Sequence, residues 1–232
     1  MPPEQKQPGS VRARWQSVML GAVIIALIIF STTGLILVLQ PQRTPSVQGV
    51  LIQPRQNVSD FQLTDHKQQA FTNDHLQGRW HLVSYGFTHC PQFCASTLSS
   101  MTALTRLLAE EQSPYDDLGL LFYTVDAERD TPKELARYVP HFHPDLVGLT
   151  HTGATDERYQ PFERSLGILY EQVPDDQDGG YTVNHGVKLL LLNPQGQLHA
   201  VFEPSFHPSY GLHYFSLERL HADYLAVRSA YH

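Results

Sequence analysis

The chain has 232 residues, enough for one domain of ordinary size plus a tail or anchor. With 41% hydrophobic and 17% charged residues, its composition suits a globular fold and excludes disorder throughout. A formal net charge of -7 gives no support to a nucleic-acid partner, which would need a basic stripe.

Residues 1–17 carry Lys6, Arg12 and Arg14 against Glu4 alone, a basic tail ahead of an acidic body. From Val18 to Leu39 the chain reads VMLGAVIIALIIFSTTGLILVL, 22 residues without a charge. A helix needs about 20 apolar residues to cross the bilayer core, whereas a secretory h-region has only about 7–15. Residues 18–39 are therefore predicted to form a transmembrane anchor. A cleaved signal peptide is the second reading, and a buried core helix the third. The region has no cysteine for a lipoprotein anchor. Basic residues stay on the cytoplasmic side of a span. The tail is thus expected inside and residues 40–232 outside, in the periplasm of a bacterium.

Residues 40–57 hold Pro41, Pro45, Pro54 and Gly49 among Gln and Ser, and read as a linker. A domain is expected over residues 58–232. Phe61–Leu63 and Gln69–Thr72 flank a polar turn, as in a short hairpin. Arg79–Phe87 reads as a buried strand. Leu98, Met101, Leu104, Thr105 and Leu108 recur at helical spacing. Leu118–Val125 is a continuous apolar run, as in a strand buried on both faces. Thr131-Pro132 opens a helix with proline at its first position. Val147–Thr150 reads as a strand and Asp156–Leu166 as a helix. Glu171–Gly180 (EQVPDDQDGG) is too polar for a core element and reads as an exposed loop before His185. Val187–Leu192 and Leu198–Phe202 are strands around the turn Asn193-Pro194-Gln195-Gly196. Leu217, Leu220, Tyr224 and Val227 share one face of a last helix. Strands alternating with helices predict an α/β fold, a central mixed sheet flanked by helices, and the closing hairpin and helix give it a thioredoxin-like pattern.

Cys90 and Cys94 are the chain's two cysteines, with three residues between them, set between a predicted strand and helix. On one helical face their Cα atoms would lie about 6 Å apart, which suits either a disulfide or one soft metal ion. Both uses need a thiolate, and a helix start lowers a cysteine pKa. A bridge closing so short a loop removes little chain entropy, which argues against a purely structural disulfide. Copper(I) prefers thiolate and imidazole ligands. Of 13 histidines, most read as surface or packed residues. His89 adjoins Cys90 but would project away from it. His141 and His143 could pair on one face. His185 stands out by its place between the polar loop and an apolar strand.

The stretch Ser84-Tyr85-Gly86-Phe87-Thr88-His89-Cys90-Pro91-Gln92-Phe93-Cys94 resembles the signature of the Sco (SenC/PrrC-like) family. Val125-Asp126-Ala127-Glu128-Arg129-Asp130-Thr131-Pro132 is similar to that family's D-P-x-R-D-T-P. Asn184-His185 with the turn at Asn193-Pro194-Gln195-Gly196 resembles a third motif. The likeness covers roughly residues 58–204. It implies a membrane-anchored, thioredoxin-like protein that binds one copper ion and helps assemble the copper A centre of cytochrome c oxidase. Its ligands fall on Cys90, Cys94 and His185, and Asp126 and Asp130 become supporting or structural residues. Ala95, Ala127 and Asn184 depart from the family pattern without removing a ligand. Two functions follow as expectations. One is a copper metallochaperone for the oxidase's copper-bearing subunit, needing all three ligands. The other is a thiol–disulfide oxidoreductase that keeps the oxidase cysteines reduced, needing Cys90 and Cys94 only.

Overall fold

The computed structural model describes residues 9–39, 47–90, 93–151, 157–175, 180–207 and 212–231. They divide into two units, residues 1–44 and 45–232. In the first, α1 (Gly9–Leu39) is a helix of 31 residues that contains the expected anchor. Its apolar side chains from Val18 to Phe30 are exposed. Among the described residues, no helix is long and apolar enough to cross a membrane. The side chains of residues 33–39, of Lys6, Arg12 and Arg14, and the linker residues 40–46 lie outside the described residues.

The second unit is built around β1 (Gly49–Asn57), β2 (Gln62–Asp65), β3 (Ala70–Thr72) and β4 (Trp80–Gly86). Then come α2 (Phe93–Glu110), β5 (Leu118–Thr124), α3 (Pro132–Tyr138), β6 (Val147–Thr150) and α4 (Gln160–Leu166). The chain continues through β7 (Tyr170–Asp175), β8 (Gly180–His185), β9 (Leu189–Leu192) and β10 (Gln197–Phe202). It closes with β11 (Ser205–His207), β12 (Leu212–Tyr214) and α5 (Leu217–Ser229). The main sheet has the order β1-β10-β9-β4-β5-β6-β2-β3. Strands β4, β5 and β6 are parallel, and β9, β10 and β1 continue antiparallel from β4. This is the α/β fold with a central mixed sheet that the sequence predicts.

Both faces of the sheet are covered, which explains the continuous apolar strands. On one face Leu82, Leu120, Phe122, Leu189 and Leu191 pack against Leu98, Met101, Leu104 and Leu108 of α2 and Leu220, Tyr224 and Val227 of α5. On the other, Val83, Tyr85, Leu121, Tyr123 and Leu190 meet Phe162 and Leu166 of α4 and Phe61 and Phe71 at the β2–β3 edge. Every residue of β4 is buried, so the strand delivers its C-terminal end rigidly to the loop carrying Cys90. Thr131 caps α3 as its sequence predicts, its hydroxyl accepting from the Glu134 N–H.

Three expectations are corrected. The second half of the expected linker is not a spacer: Gly49–Asn57 forms an edge strand on β10. The polar stretch before His185 is not an irregular loop. Tyr170–Asp175 and Gly180–His185 pair as a two-stranded hairpin, residue 170 opposite 185 and 175 opposite 180, and residues 176–179 lie outside the described residues. A strand can be polar when the partner strand satisfies its backbone groups, and the apolar content of the stretch carried no sign of that pairing. The expected helix Asp156–Leu166 begins as a 3-10 turn, Glu157–Tyr159, and becomes α-helical at Gln160, with Asp156 outside the described residues.

Candidate metal centre

Helix α2 starts at Phe93, so Cys94 lies in its first turn and Cys90 precedes it. The two cysteines do not share a helical face as their spacing suggests. Cys90 is set by a turn, its N–H donating to the Phe87 carbonyl at 3.2 Å. No disulfide joins the two cysteines. His185 is the last residue of β8, and its pair across the hairpin is Tyr170.

Donor atoms of Cys90, Cys94 and His185 all lie within 4.8 Å of one another. Cys94 Sγ is 3.9 Å from His185 Nε2. The other imidazole nitrogen, Nδ1, lies 2.8 Å from the Gly186 carbonyl. A carbonyl only accepts, so Nδ1 carries the proton and Nε2 turns a lone pair toward the sulfurs. Gly86 makes room for this cluster. A Cβ there would stand 2.4 Å from Cys94 Sγ and 3.5 Å from His185 Cε1. Two soft sulfurs and one imidazole around a space that a single methyl group would invade fit one copper ion.

The helix start does not lower the Cys94 thiol. The hydrogen bond with Cys90, followed by burial, pushes it far up, and a backbone bond to Phe87 only partly opposes this. Cys94 therefore holds its proton until a ligand for sulfur displaces it.

The loop after β5 brackets the site from both sides. Asp130 is buried and accepts from the Thr88 N–H at 2.8 Å and from Thr124 Oγ1 at 2.7 Å, and the Thr88 hydroxyl binds it as well. That fixes the segment leading into Cys90. Asp126 accepts from Tyr181 Oη at 2.7 Å and pairs with Arg129 Nε. Arg129 Nη1 donates to the Tyr181 carbonyl at 2.9 Å, and its guanidinium lies 4.0 Å from the Tyr181 ring centroid. That fixes the strand ending in His185. The two aspartates thus support the ligand loops, beyond simple helix capping. Sequence reasoning gave no role to Tyr181 or Gly86. Tyr181, Val183 and His185 alternate at a period of two, which was the available strand signal.

Other histidines stay apart. His89 is exposed, with Nδ1 3.8 Å from Asp130 Oδ1. His141 lies against the Tyr138 carbonyl, and His143 accepts from the Asp145 N–H. Neither joins a group of potential metal donors among the described residues. A cavity of about 570 Å³ opens beside the cluster, lined by Phe87, Cys90, Phe93, His185, Lys188 and His213 among others.

The SCO1/SenC family model matches residues 51–212, which include all three donor residues and both aspartates. The chain belongs to the SCO1/SenC family. A Stutzerimonas stutzeri protein described as a putative copper-binding protein is 36% identical over 152 residues, 65% of this chain and 71% of its own length. The mitochondrial SCO2 homologue of Mus musculus is 39% identical over 160 residues, covering 68% of this chain. The chain spans 58% of that relative's length. The crystal structure of Arabidopsis thaliana ScoI with copper bound superimposes with a TM-score of 0.62 at 26% identity, over 75% of this chain and 98% of its own. The shared fold is that of the thioredoxin-like Sco proteins.

Proposed function

We propose that this SCO1/SenC member binds one copper ion through Cys90, Cys94 and His185 and delivers it to the copper-bearing subunit of cytochrome c oxidase. The observation that carries the reading is the convergence of two sulfurs and one imidazole nitrogen within 4.8 Å. Family membership and the copper in the related ScoI structure support it. Copper(I) displaces the thiol protons, and the Nε2 lone pair of His185 completes a soft donor set. The partly buried Cys90 and His185 keep the cargo within reach of a partner, while buried Cys94 holds it from behind. A single anchor in residues 18–39, with the tail cytoplasmic and the domain periplasmic, fits the uncharged run and the basic residues ahead of it.

The competing reading is a thiol–disulfide oxidoreductase using Cys90 and Cys94. Exchange proceeds by attack of one sulfur, and the partly exposed Cys90 is the accessible one. His185 separates the two, because exchange needs no third ligand. In cells with matched protein levels, His185→Ala should impair oxidase assembly about as badly as Cys90→Ser. Normal oxidase activity in His185→Ala cells under copper limitation would overturn delivery in favour of reduction.

A further inference from the structure

The β11–β12 hairpin lies beyond the third family motif, yet it reaches the copper cavity. His213 lines that cavity together with Cys90 and His185. It stands one residue past the family match, which ends at residue 212. His213 is exposed, Cys90 and His185 are partly buried, and Cys94 is 3% exposed. Behind the cavity stands the buried Cys94, and along it the donors run from the partly buried Cys90 and His185 to the exposed His213 imidazole. His213 does not belong to the cluster within 4.8 Å, so the resting set is complete without it.

Several contacts hold His213 in place. It pairs with Phe206 across the hairpin, and the two rings are 5.3 Å apart. Two residues on, the buried Phe215 anchors the hairpin's end, its carbonyl accepting from Ser100 Oγ of α2 at 2.9 Å. Helix α2 is the element that carries Cys94. At the same open end, where Ser205 pairs with Tyr214, Gln48 Nε2 donates to Ser205 Oγ at 3.1 Å.

A metal ion held by three ligands leaves by ligand exchange, in which a new bond forms as an old one breaks. An imidazole suits copper as a donor. We infer that His213 is a relay ligand. Its ring nitrogen bonds copper(I) in passage between the Cys90–Cys94–His185 cluster and whatever takes copper at the cavity mouth. Copper stays copper(I) throughout, so no electron moves. The bond to His213 replaces one bond to the cluster and is broken in turn by the acceptor. This inference rests on the copper reading above.

The test uses the full chain in detergent, loaded with one equivalent of copper(I) and mixed with excess bathocuproine disulfonate. Colour development gives the transfer rate, and equilibrium titration gives the affinity. His213→Ala should keep one copper per chain and nearly the same affinity while slowing transfer by about tenfold. His213→Met, which restores a soft donor, should recover much of the rate. His207→Ala, on the opposite face of the same hairpin, should leave the rate unchanged and controls for damage to the hairpin. Equal rates in the wild type and His213→Ala would overturn the relay alone. A weaker affinity with faster release in His213→Ala would make it a resting ligand, also overturning the relay. A wild type that holds no copper would remove the copper reading, and the relay with it.

Discussion

Tyr181 Oη donates a 2.7 Å hydrogen bond to Asp126 Oδ1, joining the strand that ends in His185 to the loop that steadies the Cys90 segment. Asp126 is 1% exposed, so this bond to a buried carboxylate is strong for its kind. Burial and the bond to Asp126 both push the Tyr181 hydroxyl up, which keeps it a donor throughout the physiological range. Tyr181→Phe removes the hydroxyl and leaves the ring under Arg129. Copper(I) affinity should fall by about tenfold, the scale seen when a partner of a metal ligand is lost, with stoichiometry unchanged. Chelator competition measures it, and an unaltered affinity would show that Tyr181 does not position His185.

Gly86→Ala places a methyl group 2.4 Å from Cys94 Sγ, far inside van der Waals contact. The obstacle is backbone-fixed on the central strand, so the cysteine must give way. The variant should bind less than one copper per chain, or bind it with one sulfur instead of two by X-ray absorption. Its far-ultraviolet circular dichroism should stay native, because the clash is local. A full two-sulfur site in Gly86→Ala would count against the geometry described for the cluster.

Acid should destabilise the domain through His81. This side chain is 4% exposed, and burial, helped by the charge of Arg79, pushes its pKa down to about 4. Above about pH 6.5 both the folded and unfolded states hold it neutral and stability does not depend on it. As pH falls from about 6.5 toward 4, the unfolded state takes up the proton and the folded state does not. Stability should drop by on the order of 3 kcal/mol across that window and then level off. His199, also lowered to about 4 by burial and Arg55, adds a smaller part because it is only half-buried. Urea unfolding at a series of pH values should show the slope, and His81→Leu should flatten it. A His81→Leu variant with the wild-type slope would assign the acid loss to other groups.

Topology is tested by fusing alkaline phosphatase after His232. Activity in the periplasm and retention of the chain in membranes after alkaline extraction are expected for a single anchor. A soluble form cut near residue 40 would instead identify residues 18–39 as a cleaved signal.

What the sequence determined by itself is local. The uncharged run from Val18 to Leu39, the apolar strands Trp80–Gly86 and Leu118–Thr124, and the Thr131 cap are each written in neighbouring residues. The same holds for the pairing of Cys90 with Cys94, and the family motifs extended that reading to His185. The tertiary structure decided what depends on distant partners. His185 and Cys94 are 91 residues apart and meet only because β9 pairs with β4 and returns the chain beside Gly86. The polar residues 171–175 became a strand because residues 180–185 satisfied their backbone groups, and Gly49–Asn57 became one by adding to β10. The proton state of Cys94 followed its hydrogen bond with Cys90 and then its burial, not the helix start that the sequence reading relied on. Sheet register and desolvation are set by residues far along the chain, and no local pattern encodes them.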